Sequence, residues 1–164
     1  MNLDTLISSD AVITNHDIKS KKRALEALAG RLAAEAEKTN PDAEEEIDPL
    51  DIFQLLIDRE KLGSTSLGHG VALPHARTNL TDHAIGAFLR LDKGVDFDSP
   101  DHQPTDLIFA LMVPEHYTDE HLKILAYLAG LFSDENFCRA LRQSEDTQEI
   151  YKHLTHWQLA SQAS

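Results

Sequence analysis

Cysteine and long apolar runs are both scarce in this chain of 164 residues. It has a single cysteine, Cys138, so no disulfide bond can form within the chain. One of its longest apolar runs, residues 107–113, is far too short to cross a bilayer. The N-terminal residues lack the basic start and the apolar stretch of a signal peptide. We therefore expect a cytoplasmic protein with no direct membrane insertion.

Positive charge is also scarce. The chain has 15 Lys and Arg against 28 Asp and Glu, which gives a net charge of -13. Binding to nucleic acid depends on Lys and Arg contacts with phosphates, so this balance argues against a nucleic-acid partner. It favours encounter with a basic protein surface instead. The length and a hydrophobic content of 41% predict one domain over residues 1–164, with the last few residues, 158–164, frayed.

Hydrophobic periodicity predicts helices at both ends of the chain and strands between them. Ser20 and Thr118 are placed to cap two of the helices, and Pro49 suits the first turn of another. In the helix after Thr118, one apolar face is predicted to hold Leu122, Leu125, Leu128 and Ala129. Residues 39–49 read as a solvated acidic connection. The predicted helices are 20–38, 49–62, 118–132, 133–144 and 145–157, and the predicted strands are 71–74, 83–91 and 106–114. This order indicates an α/β sandwich.

The segment GSTSLGHGVALPHAR, residues 63–77, has the composition of a phosphate-binding loop. Its glycines allow close backbone approach to a ligand, and backbone N–H groups in such turns can surround an anion. Ser64, Thr65 and Ser66 add hydroxyl donors. A nucleotide-binding loop would also need Lys followed by Ser or Thr, and His69 and Gly70 stand there instead. The loop therefore fits a phosphate better than it fits a nucleotide.

His75 stands near the end of this segment, directly after Pro74, and we predict it at the end of the short strand 71–74. A neutral imidazole can attack phosphorus, and its pKa lies near physiological pH. Phosphoryl transfer depends mainly on in-line positioning and on donors for the phosphoryl oxygens. The residues alone leave a second interpretation open, in which His75 is structural and bonds a nearby carbonyl.

Two further side chains are candidates for contact with a phosphoryl group. His121 lies near the start of a helix, where it can donate to an oxyanion or serve as a satisfied core group. Arg59 lies near the end of the helix that leads into the loop, and a guanidinium can bind a phosphoryl group through two parallel hydrogen bonds. The alternative for Arg59 is a surface ion pair with Asp58 or Glu60.

The stretch LLIDREKLGSTSLGHGVALPHAR resembles the active-site segment of enzyme IIA of the phosphotransferase system, in the fructose/mannitol superfamily. The nitrogen-regulatory branch is the most similar. The segments SKKRALEALAGRLA, QPTDLIFALMVP, EHLKILAYLAGLF and FCRALRQSEDTQEIY resemble the same family in the same order. The resemblance covers residues 5–153 approximately.

This resemblance implies a fold and a set of roles. The fold would be a mixed central β-sheet flanked by helices on both faces. His75 would accept a phosphoryl group on Nε2 from a histidine phosphocarrier protein, with no cofactor or metal. His121 would contact that group and Arg59 would clamp it, beside a phosphate loop of Gly63, Ser64 and Thr65. Phosphorylation would then regulate target proteins such as potassium transporters or sensor kinases.

Three alternatives stay open. A sugar-transport enzyme IIA would pass the phosphoryl group to a IIB domain, and a binding module of the same fold would take none. The second is suggested by Ala76 and Ser66, which replace glycines frequent in the family. His69 is also unusual, and it could approach the phosphoryl site or point to solvent. Nine histidines invite a metal site as the third alternative, but no H-E-x-x-H or Cys/His pair is present.

Overall fold

The sheet is built from six strands in residues 2–39 and 46–157, the ranges that the computed structural model describes. Two of the strands, β5 and β6, are long, and the other four are short. The bounds are β1 Val12–Asn15, β2 Ser66–Gly68, β3 Val71–Ala72, β4 His75–Thr78, β5 Ile85–Val95 and β6 Thr105–Pro114. The helices are α1 Lys21–Thr39, α2 Pro49–Lys61, α3 Asp119–Phe132, α4 Glu135–Gln143 and α5 Thr147–His156. Short 3-10 turns precede β1.

The long strands β5 and β6 run antiparallel at the centre of the sheet, with Phe88 opposite Phe109. β1 runs parallel to β5, while β3 and β4 both run parallel to β6. β2 closes the other edge as an antiparallel hairpin with β3. Nearly every residue of β6 is buried, as expected for a strand covered on both faces. The predicted mixed sheet flanked by helices is confirmed.

The first two helices begin where the sequence predicts. Ser20 Oγ accepts a hydrogen bond from Arg23 N at 3.1 Å, which caps α1. Pro49 occupies the first turn of α2, and the Asp48 side chain accepts from Leu50 N. These two helices pack against each other, and α1 also contacts β5.

An aromatic cluster joins the sheet to α3 and α4. Phe88 and Phe109 lie within about 6 Å of Phe132, which in turn contacts Phe137 at a ring-centroid distance of 5.1 Å. Cys138 is buried beside them, and its thiol donates to the Phe132 carbonyl. Burial raises the pKa of this thiol to about 11, so it is a core residue and not a reactive nucleophile.

A proline separates the two short strands that pair with the same side of β6. β3 and β4 lie end to end along β6, and the break between them falls at Leu73 and Pro74. Pro74 has no N–H to give to the ladder, but its carbonyl still accepts from Leu111 N at 2.9 Å. The prediction that His75 ends the strand 71–74 is therefore wrong, because His75 is the first residue of β4. β1, β2 and β4 were not predicted.

Two expectations for α3 are also wrong. The Thr118 side chain accepts no hydrogen bond from the helix, although Thr118 stands at the capping position. Leu122 is 66% exposed, whereas the buried face consists of Ile124, Leu128, Leu131 and Phe132. Leu122 is two residues from Ile124, which places it about 200° around the helix and on the opposite side.

Two expectations fall largely outside the described residues. The predicted acidic connection over 39–49 includes residues 40–45, and the predicted frayed end is residues 158–164. No helix in the described ranges combines the length and the apolar character needed to cross a membrane.

Candidate active site

His75 is fixed by one hydrogen bond at the break between β3 and β4. Its Nδ1 lies 2.8 Å from the carbonyl oxygen of Leu73. Because a carbonyl oxygen can only accept, the proton of the neutral ring must sit on Nδ1. The lone pair of Nε2 is then free. This is the tautomer that a nucleophilic Nε2 requires.

The surroundings of His75 favour the neutral ring. Burial is the main cause that lowers its pKa below the ordinary value of 6.5, and the guanidinium of Arg59 lowers it further. The Leu73 carbonyl and the carboxylate of Glu60 act in the opposite direction, with less effect in total. At neutral pH the ring therefore carries no charge and can attack an electrophile.

His121, on the first turn of α3, faces His75. The two ring centroids are 5.4 Å apart in an edge-to-face arrangement. Burial lowers the pKa of His121, and electrostatic interaction with His75, Arg77 and Arg59 lowers it further. Its Nε2 is buried and has no hydrogen-bond partner among the described residues. Such an atom costs free energy when it is left unpaired, so His121 is not a satisfied core histidine.

Arg59 reaches the same place from the end of α2. Its Nη1 donates to the Gly63 carbonyl at 2.9 Å, and its charge acts on both histidines. The surface ion pair considered above is not observed, because Asp58 and Glu60 each pair with a lysine instead. The structure thus brings Arg59, His75 and His121 together around one point.

The hydroxyl groups of the predicted phosphate loop already have protein partners. Ser64 Oγ donates to the Phe97 carbonyl at 2.7 Å. The N–H and the hydroxyl of Thr65 both donate to the carboxylate of Glu60. In this structure Ser64 and Thr65 therefore hold the loop in place, together with the bond between Arg59 and Gly63.

His69 lies at the tip of the β2–β3 hairpin and is exposed. Its N–H donates to Asp101 at 2.8 Å, and its carbonyl accepts from Arg142 at 2.9 Å. Arg142 also forms a two-point ion pair with Asp106. These partners belong to the loop before β6, to β6 itself and to α4, so His69 is tied to a different part of the molecule from His75.

Ala76 and Ser66 are accommodated without strain. Ala76 is extended within β4 and pairs with Met112, so the position does not need the left-handed backbone that glycine favours. Ser66 Oγ donates to the Val71 carbonyl at 3.3 Å and so bridges the two strands of the hairpin. Neither substitution removes a group from the site around His75.

The sequence reasoning did not single out three groups that act on the two histidine rings: the Leu73 carbonyl, Glu60 and Arg77. Arg77 is two residues after His75 on the same strand, which places the two side chains on one face. That spacing was a usable signal for Arg77. No comparable signal pointed to the backbone of Leu73 or to the burial of Glu60. Within the described ranges, no three His, Cys, Asp or Glu side chains converge as they would to hold a metal ion.

Comparison with known proteins decides the family. The family described as "Phosphoenolpyruvate-dependent sugar phosphotransferase system, EIIA 2" matches this chain over residues 5–157. The chain belongs to this family. As an EIIA protein it is a phosphotransferase-system component.

Individual members of the EIIA family are similar over nearly their whole length. The "Nitrogen regulatory protein" of Bradyrhizobium diazoefficiens is 40% identical over 154 residues, which cover 94% of this chain and 95% of that protein. The crystal structure of nitrogen regulatory protein IIA-Ntr from Neisseria meningitidis is 38% identical, with a TM-score of 0.82, covering 93% of this chain and 99% of that chain.

A more distant EIIA structure supports the fold alone. It is the mannitol enzyme IIA of Escherichia coli, in a complex with phosphorylated enzyme IIB. It is 19% identical, with a TM-score of 0.70, covering 91% of this chain and 98% of that chain. The mixed sheet flanked by helices is thus the fold of both nitrogen-regulatory and mannitol EIIA proteins.

Proposed function

We propose that this EIIA protein is a regulatory phosphohistidine carrier that accepts a phosphoryl group on Nε2 of His75. The observation that carries the proposal is the hydrogen bond from Nδ1 to the Leu73 carbonyl. It leaves Nε2 as the free nucleophile, next to an unpartnered ring nitrogen of His121 and the guanidinium of Arg59. These groups are placed to hold the oxygens of an incoming phosphoryl group.

The transfer can be written as an exchange of one P–N bond for another. The lone pair of Nε2 attacks phosphorus, and the bond between phosphorus and the donor histidine breaks. The electron pair of that bond goes to the donor ring. The accepting ring becomes positively charged because Nδ1 keeps its proton. The Leu73 carbonyl stabilises that charge, and Arg59 and His121 stabilise the negative oxygens.

Docking of the donor is supported by two exposed leucines next to the site residues. Leu62 is 84% exposed and precedes Gly63, and Leu122 is 66% exposed and follows His121. Exposed apolar side chains can be buried against a docked protein, and that burial favours association. The proposed donor is a histidine phosphocarrier protein, and the net charge of -13 favours encounter with a basic surface on it.

The regulatory assignment is supported by the relatives named as nitrogen regulatory proteins. A phosphoryl group adds about −1.5 to −2 charges. Placed on His75, that charge would weaken an apolar interface docked at the site through repulsion and desolvation. We propose that target proteins, such as potassium transporters or sensor kinases, distinguish the two states in this way.

Intact-mass spectrometry at neutral to alkaline pH tests the proposal. The protein is incubated with phosphoenolpyruvate, enzyme I and the histidine phosphocarrier protein, with His75→Ala as the control. We expect one acid-labile phosphoryl adduct on the wild type and none on the variant. If the wild type carries no adduct although the donor is shown to be charged, the carrier function is wrong and a binding module is the better interpretation.

A second incubation separates the regulatory function from sugar transport. Phosphorylated protein is mixed with a IIB domain, and the phosphoryl group is followed. A regulatory carrier is expected to keep the group for much longer than a sugar-transport enzyme IIA would. Rapid and complete passage to IIB would contradict the regulatory assignment while leaving the carrier function intact.

A further inference from the structure

Glu60 has a buried carboxylate in an unexpected place. It follows Arg59 on α2, and its side chain is only 4% exposed. Burying a charged carboxylate is unfavourable unless it is paired and hydrogen-bonded. The phosphoryl chemistry described above does not use this group. Its partners therefore indicate its purpose.

The carboxylate of Glu60 is held from two sides. On one side it accepts from the N–H of Thr65, at 3.2 Å to Oε2, and from the Thr65 hydroxyl. On the other side Lys21 of α1 pairs with it at 3.0 Å. Lys21 also pairs with Asp98 at 3.2 Å and lies over the ring of Phe97 at 4.8 Å. The group is thus fixed in position, and it fixes Thr65 in turn.

A short series of hydrogen bonds leads from Thr65 to the reacting ring. The Thr65 carbonyl accepts from Leu73 N at 3.1 Å. The Leu73 carbonyl accepts from His75 Nδ1 at 2.8 Å. Because Leu73 lies in the break between β3 and β4, no sheet partner holds its N–H, and Thr65 takes that place. Movement of Thr65 would displace the carbonyl that sets the tautomer of His75.

We propose that Glu60 is a positioning residue for His75. Acting through Thr65 and Leu73, it holds the carbonyl that keeps the proton on Nδ1 and leaves Nε2 free. Lys21 supplies the opposite charge that allows the carboxylate to be buried. The effect on phosphoryl transfer rests on the proposed function, whereas the effect on the ring tautomer does not.

The main test is Glu60→Gln, a change of nearly equal shape that removes the charge. Two-bond proton–nitrogen NMR correlations of the unphosphorylated, 15N-labelled protein report which nitrogen of His75 carries the proton. We expect protonation of Nδ1 alone in the wild type and a mixture of tautomers in Glu60→Gln. The rate of phosphoryl acceptance should fall on the order of 10²-fold, as for other small displacements of reacting groups.

Asp98→Asn is the matched control. It removes the exposed carboxylate that also pairs with Lys21, and it leaves the bonds between Glu60 and Thr65 untouched. Asn tolerates the left-handed backbone of this position, which has a φ of 56°. We expect wild-type ring spectra and a wild-type rate of phosphoryl acceptance from this variant.

Thr65→Val serves if Glu60→Gln does not fold. It keeps the shape and the N–H of Thr65 but removes the hydroxyl donor, so a smaller change in the same direction is expected. Unchanged ring spectra and an unchanged rate in Glu60→Gln, with a lower melting temperature only, would overturn the positioning role. If the wild type itself accepts no phosphoryl group, the proposed function fails, and the ring spectra alone decide the role of Glu60.

Discussion

The segment 63–77 presents two histidines, His69 and His75, and they differ in almost every respect that matters for a site. His75 is partly buried and bonded through its ring, and burial, with a smaller contribution from Arg59, lowers its pKa. His69 is exposed, and its bonds to Asp101 and Arg142 use only its backbone. A histidine near glycines is thus not sufficient for a site. What distinguishes His75 is a fixed tautomer, a neutral ring and the neighbouring Nε2 of His121, which has no hydrogen-bond partner among the described residues.

The contrast between His75 and His69 predicts that the largest loss of phosphoryl acceptance comes from removing the donors around His75. Arg59→Ala and His121→Ala each remove a group that we propose holds the phosphoryl oxygens. Each should lower the rate of phosphoryl acceptance on the order of 10² to 10³-fold, as the loss of one such donor does elsewhere. Rapid-quench measurement with a charged histidine phosphocarrier protein gives the rate. Wild-type rates in both variants would show that neither Arg59 nor His121 holds the phosphoryl oxygens.

The pH dependence of the reaction tests the lowered pKa of His75. Only the neutral ring attacks, and its pKa lies below 6.5. Between pH 8 and pH 6.5 the acceptance rate should therefore stay nearly flat, and it should decline only at lower pH. A rate profile measured with donor charged beforehand gives this dependence. A decline already centred above pH 6.5 would show that the ring is not held neutral.

The free energy of unfolding should also depend on pH through His75, because the pKa of this ring is lower in the folded chain than in the unfolded chain. Below pH 6.5 the unfolded chain binds a proton at His75 more readily than the folded chain does, so acid destabilises the fold in this window. The loss begins at pH 6.5 and is complete below the folded pKa. Urea denaturation of wild type and His75→Ala across this range should show a shallower decline for the variant. The same pH dependence of the free energy of unfolding in both proteins would contradict a lowered pKa of His75 in the folded chain.

Gly70→Ala should affect the hairpin tip without affecting the chemistry. Gly70 has a φ of 80°, and a Cβ there would lie 2.5 Å from Arg142 Nη2 and 2.8 Å from Asp106 Oδ1. The strained backbone and the displaced ion pair should lower the free energy of unfolding by roughly 2 kcal/mol. Denaturation measures this loss, and the acceptance rate of the folded variant should be unchanged. A large drop in rate would show that the hairpin tip and the site around His75 are functionally coupled.

The smallest effect is expected from His69→Asn. The position has a φ of 56°, which Asn tolerates, and the His69 side chain is exposed. Stability should change by less than about 0.5 kcal/mol, as is usual for surface substitutions. Phosphoryl acceptance should be unchanged in the mass-spectrometric assay. Loss of phosphoryl acceptance would show that the His69 side chain takes part in the reaction, which would contradict the contrast with His75.

Much of the fold could be predicted because local signals agree with the final packing. Ser20 and Pro49 mark helix starts through their own chemistry, and the short apolar runs within β5 and β6 are typical of buried strands, the second one closed by Pro114. The four-residue strand β1 carries no such pattern, since its pairing with β5 is decided by a distant segment. Leu122 was misplaced because an exposed leucine on an apolar helix has the same sequence signal as a buried one.

The site was predicted in the same uneven way. The resemblance to EIIA proteins singled out His75, His121 and Arg59, and the structure brings these three together. Glu60 was seen only as a possible surface partner of Arg59, because a carboxylate near the end of a helix is usually solvated. Its burial depends on Lys21, which lies far away in the sequence. Interactions of this kind become visible only when the chain is folded.

The broken strand along β6 has a consequence for how this protein matures. His75 of β4 pairs with Leu111 of β6, so the candidate site forms only after the intervening residues, which include β5, have been ordered. Parallel pairing of this kind forms slowly, because the entropy of closing the loop is lost before the contacts are gained. A chain still leaving the ribosome without β6 has His75 but not the candidate site around it. Competence for phosphorylation would therefore arise late and report that the sheet is complete.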